Sequence, residues 1–101
     1  MVSLLPKLSQ KEIEERLKVL SGWSYDGTFI KKKYEFEDFK RAIEFITRIA
    51  QEADALDHHP DIYNSYNTVE IKITTHDEMG VTQKDFVLAD KIESIAKSMG
   101  A

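Results

Sequence analysis

The chain contains no cysteine, two prolines, four glycines, one tryptophan and only three histidines among its 101 residues. Without thiols it can form no disulfide, no thiolate metal site and no cysteine nucleophile, and the absence fits a reducing compartment. The start, Met1-Val2-Ser3-Leu4-Leu5-Pro6, is too short an apolar run for a secretory leader. No stretch approaches the roughly 18 apolar residues of a membrane-spanning helix. A cytoplasmic location is therefore expected. A basic excess is also lacking: the net charge is −4, which argues against general affinity for nucleic acid or an anionic membrane.

What is present is ordinary for a globular protein, with 42% hydrophobic and 32% charged residues. A chain of this length forms one domain and buries roughly two thirds of its unfolded surface. No linker, repeat or low-complexity tract divides residues 1–101.

Ser9-Gln10-Lys11-Glu12 has the form of a capping box, and Ile13, Leu17 and Leu20 continue it as an apolar line until Ser21-Gly22 stops the helix. Trp23 to Phe36 reads as a hairpin with a two-residue turn at Asp26-Gly27. Ile30, Tyr34 and Phe36 share its inward parity. Lys32 breaks that parity and is expected to snorkel or to lie at an edge, and Lys31-Lys32-Lys33 suits a wet or edge strand.

Phe39 to Ala53 is the longest helix, its apolar stripe running through Phe39, Ala42, Ile43, Ile46, Ile49, Ala50 and Ala53. Phe45 widens the stripe, toward either a subunit contact or a broad core. Pro60 requires this helix to have ended. Ile62–Ser65 and Thr68–Thr75 form a second hairpin around Tyr66-Asn67, with Val69, Ile71 and Ile73 inward, and Asp77 to Gly80 turns the chain. A last helix opens at Thr82 with Asp85 as capping partner and buries Leu88, Ala89, Ile92, Ile95, Ala96 and Met99.

The order α-β-β-α-β-β-α predicts an α+β two-layer sandwich: a four-stranded antiparallel sheet with helices on one face. Its two open edges make sheet extension in a homodimer plausible.

All three histidines fall within one window, as His58-His59 in Asp57-His58-His59-Pro60-Asp61 and as His76 in Thr74-Thr75-His76-Asp77. They flank the second hairpin, so folding should bring them to one pocket mouth. An unperturbed imidazole titrates near pH 6.5 and can both donate and accept protons at neutrality. Several imidazoles beside Asp54, Asp57, Asp61, Asp77 and Asp85 suit proton transfer, such as the elimination of water, better than nucleophilic attack. Three histidines could instead bind zinc with an open position. Adjacent residues on extended chain point apart, however, so His58 and His59 do not readily chelate one ion. A purely structural reading makes His58 and His59 backbone-bonding residues and His76 a strand-end cap; the clustering weighs against it.

These segments, with Tyr66-Asn67-x-Val69, Ile71-x-Ile73-x-Thr75-His76-Asp77 and Asp85-x-x-Leu88-Ala89, together resemble the pterin-4a-carbinolamine dehydratase family. The similarity extends to Leu20-x-Gly22-Trp23 and Phe36-x-Asp38-Phe39, nearly the whole chain. It implies dehydration of 4a-hydroxytetrahydropterin to quinonoid dihydropterin in tetrahydrobiopterin recycling, with no metal or organic cofactor, and assembly into homodimers or homotetramers. His58, His59 and His76 match the family's active-site histidines. Asp57 and Thr74, Thr75, His76 and Asp77 match segments lining the pterin, Asp85 matches a supporting acid, and Asp54 stands where many members carry Glu. His59 and His76 are favoured as the proton-transfer pair with His58 assisting. Two departures are Ile62, where many relatives carry Trp, and Met79, in a loop often richer in Gly. The resemblance also implies a rival: animal members serve as dimerisation cofactors of a homeodomain transcription factor, which here would use the helix face bearing Arg41, Glu44 and Arg48.

Overall fold

A computed structural model describes residues 6–101; Met1 to Leu5, most of the short apolar start, lie outside the described residues. The elements are α1 (Gln10–Leu17), β1 (Ser24–Tyr25), β2 (Ile30–Glu35), α2 (Phe39–Leu56), β3 (Asp61–Ser65), β4 (Thr68–Ile73), a 3-10 turn (His76–Glu78) and α3 (Gln83–Ser98). The four strands form one antiparallel sheet in the order β1-β2-β4-β3. The α+β architecture and its element order are those expected. Among the described residues, no helix is long and apolar enough to cross a membrane.

The core follows the alternation of the strands. Ile30 and Tyr34 of β2 and Val69, Ile71 and Ile73 of β4 are buried together with Phe45, Ile49 and Ala53 of α2 and Leu88, Ala89 and Ile92 of α3. Phe45 is fully buried, its ring centroid 4.9 Å from that of Tyr34 and 4.8 Å from that of Phe36. It therefore belongs to the core, and each such aromatic pair adds roughly 0.5–1.5 kcal/mol beyond area burial. The exposed apolar residues of α2 are instead Phe39 and Ile43, which are 49% and 39% accessible. Arg48 and Glu52 reach Ser98 and Lys91 of α3, so Phe39 and Ile43 occupy the flank of α2 turned away from α3.

Two local expectations change. The first hairpin turns through four residues, since Tyr25 pairs with Ile30. Asp26 causes this: its Oδ1 accepts the amides of Phe29 (2.8 Å) and Thr28 (2.9 Å), which winds the loop around the carboxylate. The Phe29 amide foremost holds the Asp26 carboxyl below its ordinary range. Helix α2 runs three residues past Ala53, to Leu56, and ends where Asp57 takes left-handed φ and ψ of 51° and 42°.

Strand β2 is second in the sheet order, but β1 pairs only with its Ile30 and Lys31. Among the described residues Lys32 and Lys33 have a strand partner on the β4 side alone, so the lysine run lies partly at an edge, as expected. Lys32 faces the helices. Its Nζ lies 2.6 Å from Glu93 Oε1, 3.0 Å from the Ser21 carbonyl and 4.6 Å from the Tyr34 ring centroid. Glu93 also accepts from Trp23 Nε1 at 3.0 Å and from the Tyr34 hydroxyl. Three side chains thus tie α3 to the first hairpin through one carboxylate.

Burial pushes the Glu93 carboxyl up, but the donors Lys32, Tyr34 and Trp23 together outweigh it and hold the group below its ordinary value. Burial first, then the bond to Glu93, pushes the Tyr34 phenol far up. A carboxyl depressed in the folded state stabilises fully above its unfolded value and loses that contribution as acid titrates the folded group. Replacing Glu93 by Leu should lower the unfolding free energy by roughly 2–3 kcal/mol at neutral pH. The difference from wild type should shrink below about pH 4.5. Urea unfolding at pH 7 and pH 3.5 checks both; a pH-independent difference would refute the role of the charge.

Candidate active site

The second hairpin brings its two ends together because β3 and β4 pair in register, Asp61 opposite Lys72 and Ser65 opposite Thr68. Before β3 the chain leaves α2 through the left-handed Asp57, while the His58 amide donates back to the Ala53 carbonyl at 3.1 Å. After β4 the chain enters the 3-10 turn, closed by a Thr75–Gly80 bridge whose Thr75 amide donates to Gly80 at 3.0 Å. A cavity of about 240 Å³ opens between the two ends. Asp57, His58, His59, Thr74, Thr75, His76, Asp77 and Lys84 line it.

The three imidazoles are held differently. His58 is 9% accessible and its Nε2 lies 2.6 Å from Oδ1 of Asp85, which is 0% accessible. Asp85 Oδ2 accepts the Thr75 hydroxyl at 2.8 Å and the Thr82 amide at 2.7 Å. The Thr82 hydroxyl meets Thr75 Oγ1 at 2.9 Å and accepts the Lys84 amide at 3.2 Å. With Thr75 donating to Asp85, the Thr82 hydroxyl donates to Thr75, and every group in the network has a partner. The carboxylate accepts from the Nε2–H of His58, which leaves Nδ1 as the ring's second nitrogen. Among the described residues, no buried side-chain nitrogen or oxygen lacks a hydrogen bond.

His59 turns the opposite way, as neighbours on extended chain do. Its Nε2 lies 2.9 Å from Oδ1 of Asp54 on the last turns of α2. That pair is largely exposed, and exposed pairs contribute only about 0–1 kcal/mol, so Asp54 restrains the ring weakly. His76 is exposed at the other rim, with the Phe29 ring edge-on to it at 6.3 Å between centroids. Lys72 Nζ sits over the Phe29 ring, 4.6 Å from its centroid, and helps to hold it.

Seven residues singled out from the sequence thus surround one cavity, Asp85 lies beneath it, and Asp54 stands outside at the surface. The eighth lining residue, Lys84, was not anticipated. Its signal was an electrostatic misfit: a lysine in the first turn of α3 opposes the helix dipole. With Thr82 as cap and Asp85 turned inward, Lys84 between them reaches the rim. The charged face of α2 is occupied with itself, since Arg41 and Arg48 both pair with Glu44, at 3.0 and 2.6 Å. That self-pairing disfavours the rival reading of this face as a transcription-factor docking surface.

A cluster of imidazoles and carboxylates at a concave site can move protons to and from a small heterocycle. Comparison with known proteins points the same way. A family model described as pterin 4 alpha carbinolamine dehydratase matches residues 6–95. A curated Christiangramia forsetii protein named putative pterin-4-alpha-carbinolamine dehydratase is 47% identical over 95 residues, 94% of this chain and 98% of the relative. A Sulfolobus acidocaldarius protein with the same name is 46% identical over 89 residues, 88% of this chain and 98% of its own. A solved Brucella melitensis structure, described as a transcriptional coactivator/pterin dehydratase, superposes with a TM-score of 0.85 at 40% identity. The match covers 89% of this chain and 98% of that one. By sequence over almost its full length and by fold, the chain belongs to the pterin 4 alpha carbinolamine dehydratase family.

Proposed function

We propose that the chain is a hydro-lyase that converts 4a-hydroxytetrahydropterin to quinonoid dihydropterin and water, returning the oxidised pterin to tetrahydrobiopterin recycling. In this reaction the C4a–O bond breaks with protonation of the departing hydroxyl, N5 loses its proton, and the N5 electron pair closes a C4a=N5 double bond. The observation that carries the reading is the convergence of all three imidazoles on one cavity above the Asp85 carboxylate. The pterin supplies every electron that moves, so the protein's task is to deliver one proton and remove another.

The two exposed imidazoles, His59 and His76, serve as the proton-transfer pair, because solvent can reset their protonation after each turnover. His58, buried and anchored by Asp85, presents Nδ1 as a fixed hydrogen-bonding partner for the ring. Asp57, Thr74, Thr75 and Asp77 shape the pterin site, and Lys84 offsets the negative charge of Asp57 and Asp77 at its rim.

A second copy of the chain covers the exposed apolar flank of α2, so the working form is a homodimer or homotetramer. Phe39 and Ile43 are too large and too exposed to be indifferent to water, and among the described residues the outer edge of β3, with Ile62 at 36% accessibility, has no strand partner. The occupant is taken to be a second copy because a closed symmetric pairing satisfies both features at once.

Replacing His76 by Ala should slow stopped-flow breakdown of 4a-hydroxytetrahydropterin by roughly 10²–10⁴-fold with the melting temperature unchanged. An unaltered rate would remove His76 from the chemistry. Asp85→Asn should lower both turnover and stability, the latter by roughly 3–5 kcal/mol, because a buried partner of His58 is lost. Loss of turnover with full stability would contradict that anchoring role. Light scattering should give at least twice the monomer mass for wild type and a shift toward monomer for Ile43→Asp; a monomeric wild type would refute the assembly.

A further inference from the structure

A second cavity of about 290 Å³ adjoins the first. Thr28, Thr74, His76, Met79 and Gly80 line it, and Thr74 and His76 belong to both. His76 is thus a partition with space on either side, its ring steadied by Phe29. Small-molecule sites usually span roughly 300–1,000 Å³. Each cavity alone stands at or below the lower end of that range, whereas the two joined around His76 fall well within it.

The wall of the second cavity is unusual in one respect. Met79 has φ of 57°, a left-handed conformation that costs a non-glycine residue on the order of 1 kcal/mol or more. It is 86% accessible, so core packing does not explain a methionine at a position suited to glycine. The Thr75–Gly80 bridge and the bond from the Met79 amide to the His76 carbonyl, 3.0 Å, fix its backbone beside the opening. A long, polarisable thioether held there can adapt to the shape of an incoming aliphatic group.

We infer that this second cavity receives the substituent on C6 of the pterin, with Met79 and Thr28 as its specificity-determining walls. The inference rests on the dehydratase reading, in which His76 acts beside N5. C6 is bonded directly to N5, so a group on C6 must pass next to the imidazole that serves N5, and that is where the second cavity opens. Among the described residues no lysine, arginine, aspartate or glutamate lines it, and Lys7 lies only behind Gly80 at its edge, so it suits a neutral substituent, hydroxylated or short alkyl.

The experiment measures KM and kcat with two 4a-hydroxytetrahydropterins, one unsubstituted at C6 and one bearing a 1,2-dihydroxypropyl group. Met79→Trp, which fills the cavity, should raise KM for the substituted substrate about tenfold while shifting the unsubstituted one less than about twofold. The kcat values should stay near wild type. Met79→Gly should melt no lower than wild type, because glycine accepts the left-handed conformation, and should narrow the preference for the substituted substrate. Equal changes for both substrates, or no change for either in both variants, would overturn the inference. Failure of the wild type to accelerate either substrate would instead remove the dehydratase reading on which it rests.

Discussion

The site depends on the Asp85 carboxylate. It lies in the first turn of α3, where its Oδ2 accepts the Thr82 amide and completes the helix cap, and it is fully buried. The same group accepts from Thr75, at the end of the second hairpin, and from His58, at its beginning. One side chain therefore fixes the start of a helix, both ends of a hairpin and the orientation of an imidazole. A buried carboxylate is tolerable only when its lone pairs are satisfied, and here helix, strand end and histidine supply the donors together. Loss of any one donor would leave the others bonded to an under-satisfied charge.

The contrast between the histidines follows from this arrangement. His58 is immobilised by a partner in a water-excluded setting, while His59 is tethered at the surface to Asp54, where solvent screens the attraction. Rigidity and exchange with solvent are thus divided between neighbours in sequence, because an extended backbone sends successive side chains to opposite sides. His76 comes from the other end of the hairpin and stands between two cavities. The cavity walls hence combine a fixed floor with an accessible rim, a suitable division for a reaction that both orients a heterocycle and trades protons with water.

A second polar cluster does comparable work far along the fold. Glu93 collects Trp23, Lys32 and Tyr34 between α3 and the first hairpin. Lys32 lies on the inner parity of β2 opposite Ile71, a position that an apolar residue would ordinarily take. Gly22, with φ of 85°, makes room for it: a Cβ there would stand 2.8 Å from Lys32 Cε. Helix α3 is therefore held to the sheet at Asp85 and again at Glu93, and the apolar residues between them pack in a register that both ends enforce.

The sequence alone determined the element order, both capping boxes, the inward parity of β4 and the hairpin that draws the histidines together, because each rests on local spacing. Periodicity and capping are properties of neighbours in the chain, and neighbours are visible without a fold. Tertiary structure decided which side of α2 is core, since Phe45 and Ile43 are equally apolar and only the position of α3 and the sheet separates them. It also decided that Lys32 sits inside, that Lys84 reaches the cavity, and that Asp85 anchors His58 whereas Asp54 holds His59 at the surface. Burial is what distinguishes those two acid–histidine pairs, and burial is a sum over distant parts of the chain that no local pattern contains.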